Sequence, residues 1–265
     1  MKLPGGATTS DRPHPDDHMT LIEHLAELRM RLIRSVLAIV GGFIIVMALY
    51  RPILNFLSEP YNRICAQDAS LNCENNGLFI LSPMEGFSTR MSVSLYGGVV
   101  LALPVILWQI WRFVVPGLHK KEKQYALPFV FSSIVLFLLG GFIAYWTLDK
   151  ALQFLISFSG ADIRQAFQIS QYVRFVGIMI AAFGVGMEFP VLLVFLQLVG
   201  VLKYQMLFRA WRYAIVGIVA LAAIITPSGD PISLAALSVP MIALYFVAAL
   251  IGMFVQRRRA KAETT

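Results

Sequence analysis

Charge is scarce in this chain. Only 14 % of its 265 residues are Asp, Glu, Lys or Arg, and 58 % are hydrophobic, whereas a soluble domain is nearer a quarter charged and half apolar. So little polar surface excludes a soluble globular enzyme and a disordered protein. Cysteine is reduced to Cys65 and Cys73, too few for a disulfide framework. The four histidines, His14, His18, His24 and His119, lie outside the apolar runs, and neither cysteine has a histidine at ligand spacing. No metal site is therefore expected. There is no GxxxxGK[ST] loop, so no nucleotide energy source is implied. The apolar segments hold one acid and no histidine, which leaves no nucleophile–base pair for an intramembrane enzyme. No cofactor is expected. The two halves share no matching Gly/Pro breaks, which counts against a repeat-built transporter.

Long apolar runs are what the sequence does have. Residues 35–50, 91–111, 124–148, 213–229 and 231–256 carry no charge, and 175–202 is interrupted only by Glu188. A spanning helix needs roughly 17–25 mostly apolar residues. The expected fold is all-α, a polytopic integral membrane protein with six transmembrane helices. The spans are expected near 32–50, 86–115, 124–148, 172–199, 207–225 and 232–255. Residues 1–19 read as a flexible cytoplasmic tail, 20–256 as the transmembrane domain and 257–265 as a basic cytoplasmic tail. No cleavable signal peptide is visible in 1–19, where prolines, glycines and charges replace an apolar run. Thr20 and Glu23 form a capping-box pattern, so a helix is expected to begin before the first span. Pro52 and Pro60 punctuate the exit from that span into a long polar loop, 51–85. The fifth span is short: Trp211–Ile225 covers about 22 Å at 1.5 Å per residue, less than the roughly 30 Å hydrocarbon core. Such a span would thin the bilayer at the protein's edge or lie hidden in the bundle; both readings stand.

The net charge of +7 divides unevenly. Sixteen of the 22 Lys and Arg residues fall on the even-numbered side, which includes both termini, and six on the other. By the positive-inside rule both termini are cytoplasmic. This reading accounts for the basicity without nucleic acid. Cys65 and Cys73 then share the first external loop, where a disulfide and two free thiols are both open.

Three acids are singled out. Glu188, in Gly184-Val185-Gly186-Met187-Glu188-Phe189-Pro190, sits within a span. An ionisable group there costs on the order of 3 kcal/mol, so it reads as a docking or proton-linked site or as a group bonded to a neighbouring span. The glycines and Pro190 predict local backbone irregularity. Glu27 and Glu122 lie among basic residues, and spacing alone also fits solvated, ion-paired surface acids.

Four strings carry a family resemblance. They are His24-Leu25-Ala26-Glu27-Leu28-Arg29-Met30-Arg31-Leu32; Pro104-Val105-Ile106-Leu107-Trp108-Gln109-Ile110-Trp111-Arg112-Phe113 running on to Pro116, Leu118 and Glu122; Phe183–Pro190; and Thr226-Pro227 with Asp230-Pro231 and Pro240. In order and spacing the chain resembles the TatC family, the multispanning subunit of the twin-arginine protein translocase. The resemblance implies a receptor in a bacterial-type cytoplasmic membrane that binds the paired arginines of signal peptides. With TatA- and TatB-type single-span partners, self-association and the proton-motive force, it would export folded proteins. It implies signal-binding roles for Glu27, Glu122, Arg29, Arg31 and Phe113, an embedded polar role for Glu188, an external-turn role for Asp230, and structural roles for Pro60 and Pro104. Leu234 stands where many members carry Gln, and Ser228-Gly229 where a second Pro is common. The alternative is a secondary transporter of a small solute or ion with Glu188 as coupling group.

Overall fold

The computed structural model describes residues 21–67, 78–114, 126–158 and 167–263. Its elements are α1 (Leu21–Ala48), α2 (Tyr50–Gln67), β1 (Leu78–Phe79), α3 (Pro83–Val114), α4 (Ala126–Phe158), β2 (Phe167–Gln168), α5 (Ile169–Leu198), α6 (Tyr204–Arg209), α7 (Trp211–Ile225) and α8 (Pro231–Glu263). Parts of α1, α3, α4, α5 and α8 are long and apolar enough to cross a membrane, and α7 is a shorter apolar helix. The architecture is all-helical apart from β1 and β2, which pair in parallel with Leu78 opposite Phe167 and Phe79 opposite Gln168.

The core lies where α4, α5 and α8 meet. Leu148, Val176, Met179, Phe183, Met187, Leu237 and Met241 are buried in one continuous cluster. Much of the remaining apolar surface is exposed, on α1 at Leu32, Leu37 and Ile44 for example. That is the inverse of a soluble core and what a hydrocarbon solvent permits.

Helices α1 and α3 pack unusually closely because glycines face each other. A Cβ added to Gly42 would lie 2.5 Å from the Gly98 carbonyl oxygen, and one added to Gly98 2.6 Å from the Phe43 nitrogen. Any side chain there would drive the backbones apart, the small-residue logic of helix packing in lipid. The clasp sets the register of the two antiparallel helices. Arg31 lies eleven residues before Gly42 and Gln109 eleven after Gly98, about 16 Å of rise on each helix. On the other side of the crossing, Arg90 Nη2 donates to the Met47 carbonyl at 3.3 Å.

Three expectations need correction. The polar loop 51–85 contains a helix: the chain turns at Leu49 and continues as α2 through Pro52 and Pro60 to Gln67. Pro52 sits in the first turn, where backbone N–H groups have no intrahelical partner to lose. Pro60 is interior and cannot bond the Phe56 carbonyl four residues back. The Tyr145 hydroxyl donates to that carbonyl at 3.0 Å, and the Tyr172 hydroxyl to the Leu57 carbonyl at 2.7 Å. The break is thus repaired from α4 and α5, and the Phe56 and Tyr145 rings stack at 4.4 Å. Second, α4 runs ten residues past the expected end of its span, to Phe158. Third, α5 is unbroken from Ile169 to Leu198 through Gly184, Gly186 and Pro190. Gly184 serves packing instead, since a Cβ there would meet the Phe137 ring at 2.4 Å.

The expected fifth span, 207–225, is divided: its first residues belong to α6, and α7 covers only Trp211–Ile225. Only Ile218 and Ala222 of it are buried, so it lies at the edge of the bundle. The basic run Arg257–Lys261 continues the last helix, which reaches Glu263.

Candidate functional site

The α1–α3 clasp brings the start of α1 against the end of α3. One helical turn on α1 places Glu27 and Arg31 on the same face. The Arg31 guanidinium pairs with Glu27 Oε1 and donates to the Gln109 carbonyl of α3 at 3.3 Å. The Arg31 side chain is only 9 % exposed and that of Glu27 26 %, so this is a partly desolvated pair and not a surface bridge. Ser35 donates to the Arg31 carbonyl at 3.1 Å. Trp111 anchors the end of α3 by stacking on Phe129 of α4 at 4.7 Å and meeting Phe195 of α5 edge-on at 5.1 Å.

Beside the pair is an open cavity of about 400 Å³ lined by Ala26, Glu27, Met30, Arg31, Arg34 and Arg112. Phe113 follows Arg112 and is half-buried, and Arg29 is exposed on α1 outside the lining. Three polar atoms around the pair are buried without a hydrogen-bond partner among the described residues: Glu27 Oε2, Arg31 Nε and Gln109 Oε1. Leaving such atoms unmade costs about 1–3 kcal/mol each. Chemically, the arrangement offers a carboxylate fixed by an arginine beside an open cavity, its second oxygen buried without a partner among the described residues. Glu122 and Cys73 lie outside the described residues.

Gln109, Arg34 and Arg112 complete the site although sequence reasoning did not single them out. Gln109 and Arg112 stand four and one residues before Phe113, so helical spacing from Phe113 was the available signal.

The other candidates lie elsewhere. Glu188 is half-buried on α5 beside the Ser133 hydroxyl of α4, on a different pair of helices from Glu27. Asp230 is buried and caps α8: Oδ1 accepts the Ser233 N–H at 2.7 Å, and Oδ2 accepts the Ser228 hydroxyl. Pro231 occupies the first helical position, where its missing donor costs nothing. Gly229, at φ +61°, supplies the left-handed residue that the turn requires. Pro104 lies inside α3 without ending it. Cys65, on α2, is disulfide-bonded.

A further acid, Glu85, organises the end of the molecule opposite the cavity. Ser82-Pro83-Met84-Glu85 is a capping box with proline at the first helical position. The Ser82 hydroxyl accepts the Met84 N–H at 3.3 Å. The Glu85 carboxylate accepts the Leu81 N–H at 2.8 Å and the Ser170 hydroxyl at 2.9 Å. That ties the start of α3 to the start of α5, next to the β1–β2 pair. The Ser-x-x-Glu spacing was the legible signal. Among the described residues no group of His, Cys, Asp and Glu could hold a metal ion.

Comparison with known proteins agrees with this architecture. The family described as Sec-independent protein translocase protein (TatC) matches residues 23–240. The Sec-independent protein translocase protein TatC of Xylanimonas cellulosilytica is 36 % identical over 255 residues, covering 95 % of this chain and 90 % of the relative. The chloroplastic TATC of Arabidopsis thaliana is 35 % identical, over 87 % of this chain and 66 % of the relative. A crystal structure described as the twin arginine translocase receptor TatC superposes with a TM-score of 0.70 at 33 % identity, over 88 % of this chain and 100 % of that one. Helices of spanning length and this kinship make the chain a multi-pass membrane protein of protein transport, not an enzyme. It belongs to the TatC family of Sec-independent protein translocases.

Proposed function

We propose that this chain is the receptor core of a twin-arginine translocase and that Glu27 and Glu122 receive the paired arginines of signal peptides. The observation that carries the reading is the Glu27 carboxylate in the lining of the open cavity, held by Arg31 and with its second oxygen unpartnered among the described residues. A guanidinium donates through a planar fork to carboxylate oxygens, and Arg31 already holds one oxygen of Glu27 in position. The described lining contains one acid and three arginines, so a dicationic ligand needs more negative charge. Glu122 is the only acid between Arg112 and Asp149 in the sequence and supplies it. Arg29 and Phe113 flank this site as further recognition residues.

The six-span, N-in/C-in topology is part of the proposal, with α7 as the short fifth span. The excess of Lys and Arg on the side of both termini supports it. Glu188 serves as an embedded polar contact for TatA- and TatB-type single-span partners. The chain self-associates in the complex, and the proton-motive force drives folded cargo across a bacterial-type cytoplasmic membrane. Asp230, Pro60 and Pro104 shape the bundle and do not touch the signal. Cys65 and Cys73 form one disulfide on the external side.

Site-specific crosslinking to a signal peptide bearing two arginines tests the site. Glu27→Ala and Glu122→Ala should each reduce the crosslink to background, as should Glu27→Gln, which keeps the shape and removes the charge. Normal crosslinking by both alanine variants would refute the assignment.

A further inference from the structure

The cavity between α1 and α3 carries more positive charge than its one acid balances. Arg31 is committed to Glu27 and to the Gln109 carbonyl. Arg34 of α1 and Arg112 of α3 line the same cavity, and both are exposed. Neither side chain makes a hydrogen bond or an ion pair among the described residues. Two unpaired guanidinium groups at one opening repel each other, and a single phosphate has acceptor oxygens enough to engage both planar forks.

Each of these arginines also heads an exposed apolar row. On α1, Leu37, Gly41 and Ile45 follow Arg34 on one face, at steps of three and four residues. Leu37 and Ile45 are exposed, and a Cβ added to Gly41 would meet nothing within 4 Å. On the antiparallel α3, Trp108, Val105 and Leu101 recede from Arg112 in the same steps and are exposed. Both rows therefore start at the shared cavity and run towards the middle of the spanning helices. Each extends eleven residues from its arginine, about 16 Å of rise, or half of the roughly 30 Å hydrocarbon core. That is the depth of one leaflet. A basic pocket between spanning helices is the form that sites for anionic headgroups take. We propose that this surface binds an anionic phospholipid, with its phosphate at Arg34 and Arg112 and its acyl chains along the two rows. A lipid brings the anion and the chains in one molecule, whereas a partner helix would need an acid at this height to answer both arginines. The inference shares its cavity with the signal-peptide reading but rests on Arg34 and Arg112, not on Glu27 or Glu122, so either can fail without the other.

Native mass spectrometry of the full chain in detergent tests it, with phosphatidylglycerol and phosphatidylcholine of matched acyl chains added in turn. The wild-type chain should retain phosphatidylglycerol in preference by roughly fivefold or more, the scale expected for even one engaged basic residue. Arg34→Gln combined with Arg112→Gln should abolish that preference. Arg209→Gln combined with Arg212→Gln removes the same charge from exposed residues just after α5, at the end of the bundle where Trp111 meets Phe195, and should leave the preference intact. An equal concentration of inorganic phosphate should not displace the bound lipid, since it has nothing to lay along the rows. Equal retention of the two lipids by the wild-type chain, or an undiminished preference in the Arg34/Arg112 variant, would overturn the proposal. An equal loss in the Arg209/Arg212 variant would reduce the preference to net charge and overturn it as well. Displacement by inorganic phosphate would assign the two arginines to a free anion, again against the proposal.

Discussion

The two ends of the helical bundle use their acids in different ways. At the end built by the starts of α3, α5 and α8, two acids and a backbone break are answered from within. Asp230 caps α8, Glu85 clasps Leu81 and Ser170, and the carbonyl orphaned by Pro60 receives the Tyr145 hydroxyl. At the end where α1 meets α3, one ion pair keeps three buried polar atoms without partners, on Glu27, Arg31 and Gln109. Other such atoms among the described residues are spread along the bundle: on Thr89, Asp149 and Ser233 toward the opposite end, on the neighbouring Ser133 and Glu188, and on Gln197. Unmade hydrogen bonds are costly in a low-dielectric setting. Their clustering around one cavity supports the proposal that a ligand completes the structure there. The end whose capping acids are satisfied is architecture; on the proposed reading, the end with the cavity is the receptor.

The sharpest way to break this contrast is to disturb the clasp that positions the receptor end. Gly42→Val would place side-chain atoms against the Gly98 backbone, and overpacking of that kind costs about 1–3 kcal/mol or more. The α1 site should lose its register with Gln109, and binding of a two-arginine peptide should fall at least tenfold about 16 Å from the mutation. Unchanged binding would mean that the clasp does not set the site.

Glu188→Ala separates recognition from transport. Export of a twin-arginine cargo in a complementation assay should fall severalfold while crosslinking to the signal peptide stays at the wild-type level. Unchanged export would remove Glu188 from the mechanism.

Changes at the satisfied end should move stability and leave recognition alone. Glu85→Ala frees the Leu81 N–H and Ser170, and should destabilise by about 1–3 kcal/mol, read as a lower thermal midpoint in detergent. Asp230→Ala removes a helix cap and should cost about 1 kcal/mol, with Asp230→Asn close to wild type because it keeps the acceptor. A loss of signal-peptide binding in either alanine variant would dissolve the distinction between the two ends.

Much of the bundle was legible because a bilayer imposes a simple pattern. Apolar runs located α1, α3, α4, α5 and α8, while the expected span 207–225 ended with α7 at Ile225 but began four residues before it, within α6. Helix α2 was missed because Pro52 and Pro60 were read as breakers. Proline breaks a helix by orphaning a carbonyl, and nothing local in sequence reveals that Tyr145 and Tyr172, more than eighty residues away, supply the donors. The β1–β2 pair escaped for the same reason: two residues on each side carry no periodicity. The Gly184–Pro190 stretch misled in the other direction, since its glycine admits the Phe137 ring and does not bend the helix. At the candidate site, Glu27 and Arg31 were legible through helical spacing and the family motif. Gly42 and Gly98 were not, because a glycine in an apolar run does not say which neighbour it admits.

The most direct measurement is co-purification of the detergent-solubilised chain with a signal peptide carrying consecutive arginines, against the same peptide carrying consecutive lysines. Lysine preserves the charge and lacks the planar fork that engages carboxylate oxygens. The arginine peptide should be retained at least tenfold better, and Glu27→Gln should erase that preference. Equal retention of the two peptides by the wild-type chain would contradict a receptor site founded on the Glu27 carboxylate.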